Sequence, residues 1–265
     1  MSPLISVAEH IAQARRMEGD SLTLPWHSFA EFFKSRIDNR NLAHRPFLIY
    51  YDDDRQLHRT YSYAEFGRAV QQTAAFLHDR VGLRHRDRLA TILFNHDMTV
   101  VLYFAAWVLG VTVVPINVEE PTDKKRFILE HSEVSAVCCW HSYLEEVNSL
   151  RVELPLLRHV VSMNDEGFLG DSRHAPNGKR EVISMTARLT PPGSTLTDEA
   201  LIVYTSGTTG PPKGVVLTAE NLLIDADAIT DWHRFDANDR LMCVLPIHHV
   251  NGTVVTLITP FYCKG

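Results

Sequence analysis

One apolar segment limits the folds open to this chain more than any other feature. Residues 100–116 are mostly apolar, but Gly110, Thr112 and Pro115 interrupt them, and the run is barely long enough to cross a membrane. We interpret it as a buried helix followed by a buried strand over residues 111–116. A strand that is apolar on both faces needs helices on both sides. The segment therefore predicts a parallel sheet covered by helices.

Other segments continue this alternation. Ser28 is predicted to cap one helix. A second helix is predicted to begin at a capping box of Ser62 and Glu65 and to end at Gly82. The predicted helices cover residues 4–17, 29–37, 63–81, 121–129 and 143–150. A further helix is predicted to end at residue 109, with Asn95 or Asp97 as its cap. The predicted strands cover 47–51 and 57–61, which form a hairpin, and 88–94, 111–116, 135–140, 159–162 and 200–204. Residues 164–197 are predicted to be a long irregular connection with one helix or extended segment inside it. The pattern indicates an α/β fold with helix-covered, largely parallel sheets.

Charge and cysteine content exclude several classes of protein. The chain has 26 Lys and Arg against 32 Asp and Glu, a net charge of −6, so we expect no nucleic-acid partner. The four cysteines form no C-x-x-C pair, and no zinc-ligand spacing occurs. The first residues lack the regions of a signal peptide. We therefore expect a cytoplasmic protein without a membrane span.

The segment from Tyr204 to Gly214 has the chemistry of a phosphate-binding loop. Its hydroxyl, glycine and lysine residues are Thr205, Ser206, Gly207, Thr208, Thr209, Gly210, Lys213 and Gly214. Glycines let backbone N–H groups approach a polyanion, hydroxyls add donors, and Lys213 adds a mobile positive charge. A Walker A loop is excluded, because Pro212 and Gly214 stand where that motif has Gly and Ser or Thr. The alternative is a flexible turn without a ligand.

This loop resembles the signature of adenylate-forming enzymes, which include acyl-CoA synthetases. Every position from Tyr204 to Gly214 matches the pattern aromatic-Thr-Ser-Gly-Ser/Thr-Thr-Gly-x-Pro-Lys-Gly. Residues 106–117 are similar to the helix-Gly-strand-Pro segment of the same family. The resemblance implies a catalytic role for Lys213. It also implies that ATP phosphates contact Thr205, Ser206, Gly207, Thr208, Thr209, Gly210 and Lys213.

Residues 245–252 resemble the family segment that lines the carboxylate pocket. The match implies that His249 is catalytic and meets the substrate carboxylate, and that Val250, Asn251 and Gly252 bind the substrate beside it. A surface pair, a satisfied core pair or a metal site are the alternatives for His248 and His249, although no third metal ligand is evident. Amino-acid-activating members generally have an Asp where this chain has His249. The substrate is therefore expected to lack an α-amino group, as a fatty, aryl or other organic acid does.

The resemblance implies an acyl-CoA synthetase with ATP, Mg²⁺ and coenzyme A as cofactors or co-substrates. A carboxylate would attack the α-phosphorus of ATP, and the thiol of coenzyme A would then displace AMP. Two alternatives stay open: transfer to a carrier-protein thiol, and a non-catalytic module that binds a nucleotide or acyl group. The ligands of the metal are unknown.

Only the first half of the family pattern is present. Residues 1–195 are predicted to form a first α/β subdomain, and 196–265 the start of the ATP- and acyl-binding part. The later adenine-binding motif and the small C-terminal lid with its catalytic lysine have no counterpart. We therefore expect a fragment of a longer enzyme that does not complete adenylation alone. Incomplete sheets expose strand edges, so self-association is also expected.

Overall fold

The computed structural model describes residues 24–54, 56–167, 169–171, 193–205 and 211–264. The helix predicted over 4–17 lies outside these ranges, as do loop residues 206–210. The helices are α1 (Phe29–Ile37), α2 (Tyr63–Asp79), α3 (Asp97–Val108), α4 (Thr122–His131), α5 (Leu144–Arg151), α6 (Ala219–His233), α7 (Val250–Thr253) and α8 (Thr259–Cys263). The strands are β1 (Pro46–Asp52), β2 (Leu57–Ser62), β3 (Arg88–Ile92), β4 (Thr112–Pro115), β5 (Ala136–Trp140), β6 (His159–Met163), β7 (Leu169–Asp171), β8 (Glu199–Thr205) and β9 (Lys213–Thr218).

Seven strands form the main sheet, in the order β7–β6–β5–β3–β4–β8–β9. The five central strands are parallel to their neighbours, and β7 and β9 pair antiparallel at the two edges. This confirms the predicted α/β fold with a largely parallel sheet. Strands from both sides of residue 195 share the sheet, and the division into two parts there stays a prediction.

Helices cover both faces of this sheet and make two hydrophobic cores. On one face, α1, α2, α3 and α6 pack with the larger core; on the other, α4 and α5 enclose the smaller one. Alternate strand residues face opposite cores, as Leu89 and Ala90 do in β3. Helix α3 is buried almost all round, and its Trp107 indole donates to the Ala200 carbonyl at 2.8 Å.

Two local predictions near the chain start are confirmed. The Ser28 side chain accepts from the Glu31 N–H at 3.2 Å and caps α1, and Ser62 and Glu65 make the predicted capping box of α2. Strands β1 and β2 pair antiparallel as the predicted hairpin. Helix α2 ends at Asp79, three residues before Gly82, whose φ of +80° begins the following turn.

The structure differs from the sequence predictions at one helix cap and adds one strand. The cap of α3 is His96, whose imidazole accepts from the Met98 N–H at 3.1 Å, because Asp97 is already helical and the Asn95 side chain bonds elsewhere. Strand β7 agrees with the extended segment that was allowed inside the irregular connection. Strand β9 was not predicted, since its half-exposed position at the sheet edge leaves no clear alternation of apolar residues.

The last part of the described chain is one helical stretch containing a π-helical turn. Helix α7 continues through a π-helix (Val254–Ile258) into α8. Arg36 of α1 holds its end: the guanidinium donates to the carbonyls of Phe261 at 3.3 Å and Tyr262 at 2.9 Å. Among the helices that the structure describes, none is long and apolar enough to span a bilayer.

Candidate active site

The predicted site residues that the structure describes lie on elements that meet at one edge of the main sheet. Strands β3, β4 and β8 are neighbours and run parallel, so their carboxyl ends meet at this edge. Ligands of open α/β sheets bind outside the carboxyl ends of the strands. Thr205 ends β8, and Asn95, which follows β3, holds the segment that carries His249. Strand β4 lies between β3 and β8, so these two strands are about 10 Å apart at ordinary strand spacing.

The two ends of the phosphate-binding loop are held together by a hairpin. Thr205 pairs with Lys213, and Tyr204 pairs with Gly214, in the antiparallel ladder of β8 and β9. The side chains of Thr205 and Lys213 are both exposed at this end. Residues 206–210 lie outside the described ranges. The predicted phosphate contacts of Ser206, Gly207, Thr208, Thr209 and Gly210 therefore stay predictions.

Gly214 has a packing role that the loop motif alone does not reveal. A Cβ atom at this position would lie 3.1 Å from Ile202 Cγ2 and 3.2 Å from Tyr204 Cζ. Both contacts are tighter than ordinary van der Waals distances. The absence of a side chain at Gly214 therefore lets the Tyr204 ring lie across the hairpin.

Asn95 fixes the segment that precedes the histidine pair. Its side-chain amide donates to the Leu245 carbonyl and accepts from the Ile247 N–H, both at 2.9 Å. One amide thus satisfies two backbone groups of a segment with no strand partner in the described structure. This clamp ties residues 245–247 to the carboxyl end of β3.

The start of α7 packs closely against the same segment. A Cβ on Gly252 would lie 2.4 Å from the Pro246 carbonyl oxygen, so this position accepts no side chain without movement. The Thr253 hydroxyl donates to the Ile247 carbonyl at 2.6 Å. Gly252 is buried against this turn, which gives it a structural role; its predicted substrate contact stays a prediction.

His248 and His249 differ in environment although they are adjacent. His249 is exposed at the cap position of α7, and its ring centroid lies 4.3 Å from that of His248. His248 is half-buried, and its Nε2 has no hydrogen-bond partner among the described residues. Burial and the neighbouring His249 lower the pKa of His248, while Glu120 and Glu119 oppose this shift. His248 is therefore a neutral imidazole at neutral pH.

The predicted substrate residues after His249 lie on α7. Val250 is half-buried, and Asn251 is exposed one residue further along the helix. The exposed positions of His249 and Asn251 leave both side chains open to a ligand. Their contacts with a substrate stay predictions.

Two site features were missed at the sequence level. The Asn95 clamp joins residues 150 positions apart, and no local pattern reveals it. Glu119 and Glu120 follow β4 and act on the His248 charge, yet in the sequence they resemble an ordinary solvated turn. The one available signal was position: polar residues directly after apolar parallel strands collect at a shared sheet edge.

These features define an α/β protein with a candidate site at the carboxyl edge of its sheet, and the chain belongs to a known family. Residues 36–265 match the AMP-binding enzyme family. The chain is 31% identical over 188 residues to a sulfoacetate–CoA ligase of Cupriavidus necator, covering 69% of this chain and 35% of that protein. It is 29% identical over 185 residues to a mitochondrial malonate–CoA ligase of Mus musculus, covering 69% of this chain and 29% of that protein.

A solved structure agrees with this assignment. The ATP-bound crystal structure of MatB from Rhodopseudomonas palustris superposes with a TM-score of 0.73 at 25% identity, over 89% of this chain and 44% of that one. The chain thus spans about a third of its curated relatives and under half of this structure.

Proposed function

We propose that the protein contributes to the ATP-dependent activation of a carboxylic acid and its transfer to coenzyme A. The observation that carries this proposal is the hairpin end, where Thr205 pairs with Lys213 and both side chains are exposed at the carboxyl edge of the sheet. The motif that joins them matches the adenylate-forming signature along its whole length. Relatives named as CoA ligases support the same reaction.

The chemical problem of the first step is that a carboxylate must approach a polyanion. In the proposed reaction, a carboxylate oxygen attacks the α-phosphorus, which forms the acyl-adenylate and releases pyrophosphate. Lys213 would lower the charge repulsion by binding the departing phosphates. In the second step, the coenzyme A sulfur attacks the acyl carbon, the thioester forms, and AMP leaves.

The chain offers no acidic cage for the accompanying Mg²⁺ in its described part. No group of three or more His, Cys, Asp or Glu residues there could hold a metal ion. Mg²⁺ binds phosphate oxygens readily and keeps several waters. We propose Mg²⁺ only as a partner of the nucleotide phosphates, and no step depends on a protein ligand for it.

We propose that the acid lacks an α-amino group. His249 stands where amino-acid-activating members generally have an Asp, so an α-ammonium would have no carboxylate partner at that position. Small acids such as malonate and sulfoacetate, the substrates named for the two relatives, are the first to test.

A panel of acids tests this function in the full-length gene product. Each acid is supplied with ATP, Mg²⁺ and coenzyme A, and AMP and thioester are measured together. We expect AMP and acyl-CoA in equal amounts with at least one organic acid and neither with amino acids. AMP formation that needs a carrier protein instead of coenzyme A would favour the carrier-thiol alternative. No AMP with any acid, despite ATP binding, would favour the non-catalytic one.

We also propose that the chain self-associates through its sheet edge and acts in the cytoplasm. Within the described part of the chain, strand β9 has one neighbour, β8, and Val215 and Val216 are 46% and 47% exposed. Sedimentation of wild type and Val216→Lys tests the first point, and a purely monomeric wild type would contradict it. Fluorescence microscopy of the tagged full-length gene product tests the second, and an organellar signal would contradict it.

A further inference from the structure

We propose that His131 is a positioning residue for the phosphate-binding end of the β8–β9 hairpin, acting through Tyr204. Its Nδ1 lies 2.7 Å from the Tyr204 hydroxyl, a hydrogen-bond distance. The two rings meet edge to face, with centroids 5.8 Å apart. The role in ATP binding rests on the proposed function, whereas the contact itself belongs to the fold.

The His131 side of this contact is anchored to the protein. His131 is the last residue of α4, and its ring stacks on Phe127, one turn earlier, at 5.3 Å and 18°. Helix α4 is in turn tied to α5, because the nearly buried Lys125 ammonium lies 3.0 Å from the Glu146 carboxylate. The imidazole therefore projects from a fixed helix end.

The Tyr204 side of the contact leads directly to the site. Tyr204 precedes Thr205 and pairs with Gly214, which follows Lys213. Its ring lies across the hairpin in the space that the missing Gly214 side chain leaves. Burial raises the pKa of Tyr204, although Ser132 and Arg88 oppose the shift, so the hydroxyl stays protonated at neutral pH. It can donate to a neutral imidazole or accept from a protonated one.

The consequence concerns the two exposed side chains at the hairpin end. Thr205 in β8 and Lys213 in the edge strand β9 directly adjoin the pair formed by Tyr204 and Gly214. Strand β8 pairs with β4 at Leu201 and with β9 at Tyr204, so the contact of Tyr204 with His131 ties this end of the hairpin to α4. Loss of the hydrogen bond would let the hairpin end shift relative to α4, which weakens preorganised phosphate binding.

Magnesium ATP titrations of four variants test this role. His131→Leu and Tyr204→Phe each remove the hydrogen bond, and the variant with both substitutions completes a double-mutant cycle. His131→Asn keeps a polar atom near the Nδ1 position. We expect each single substitution to weaken ATP binding about fivefold, which is the effect expected from losing one hydrogen bond. We expect the double variant to be no weaker than the worse single, and His131→Asn to recover most of the affinity. Circular dichroism of each variant checks that it folds.

Additive losses in the double variant, or unchanged ATP affinity in folded His131→Leu, would overturn the positioning role. A wild type that does not bind ATP would count against the proposed function instead. Amide hydrogen exchange without nucleotide then decides the positioning role by itself. Faster exchange at residues 204–205 and 213–214 in His131→Leu than in His131→Asn is the expected result, and equal exchange in both would reject the proposal.

Discussion

The side-chain oxygen of Asn95 accepts a hydrogen bond at 2.9 Å from the backbone N–H of Ile247, which lies 152 residues later in the chain. The same amide donates to the Leu245 carbonyl. This clamp connects the end of a central strand to the segment that carries His249. The candidate acid-binding residue therefore depends on a side chain outside every recognised motif.

Replacing Asn95 tests that connection. Asn95→Ala removes both hydrogen bonds and is expected to lower the free energy of unfolding by about 1–2 kcal/mol. Asn95→Asp keeps the acceptor for the Ile247 N–H and is expected to lose less. Urea unfolding measures the stability of both variants. Asn41→Ala is the control, because Asn41 is exposed and distant in sequence from Asn95. Equal stability of Asn95→Ala and the control would show that the clamp contributes nothing.

Gly252→Ala tests the close approach of α7 to the preceding turn. The new methyl group would meet the Pro246 carbonyl oxygen at 2.4 Å, so the turn or the helix must move. We expect a loss of about 1–3 kcal/mol, typical of overpacking at a rigid contact. Asn251→Ala, at the exposed neighbouring position, is the matched control. Thermal unfolding of the pair is the measurement, and identical midpoints would contradict the packing described.

Acid stability is expected to depend on Asp97. Burial alone would raise its pKa, but the neighbouring His96, the hydrogen bond from Tyr61 and the charge of Arg59 outweigh burial and lower the pKa below its ordinary 3.8. A lowered folded-state pKa stabilises the protein above the unfolded pKa, and this contribution disappears as the pH falls through the folded value.

Asp97→Asn measures this contribution. The free energy of unfolding of the wild type should fall as the pH drops below about 4, and the variant should lose less over the same range. Urea unfolding at a series of pH values gives both curves. Parallel curves would show that Asp97 titrates alike in the folded and unfolded chain.

Arg36→Met tests how the final helix is held against α1. The change keeps the apolar stem but removes the hydrogen bonds to the Phe261 and Tyr262 carbonyls. We expect a loss of about 2 kcal/mol, since the donor is charged and its surroundings are buried. Lys34→Met on the same helix is exposed and should change stability little. Similar unfolding curves for the two variants would contradict the docking role of Arg36.

Local signals in the sequence were enough to predict most of the sheet and its helices. Caps such as Ser28 and Ser62 act within three residues, and parallel strands such as β4 and β5 are buried throughout and mostly apolar. The prediction failed where local and tertiary demands compete. Asn95 looks like a helix cap, but its amide is used by residues 245–247, so His96 takes the cap position.

The candidate site was predictable only in its motif residues. Lys213 and His249 were identified by resemblance, and the structure places both at exposed positions on elements linked to the carboxyl edge of the sheet. The contacts that hold them, from His131 and Asn95, join elements far apart in sequence. Such pairs become visible only once the strand order is known.

The most direct test of the central claim is the effect of Lys213→Ala on the binding of magnesium ATP by the full-length gene product, measured by calorimetry. Wild type and the control Lys34→Ala should bind alike, and Lys213→Ala should bind at least about tenfold more weakly, because a charged donor to phosphate is lost. Equal affinity of all three proteins, or no ATP binding by the wild type, would contradict a phosphate site at the β8–β9 hairpin.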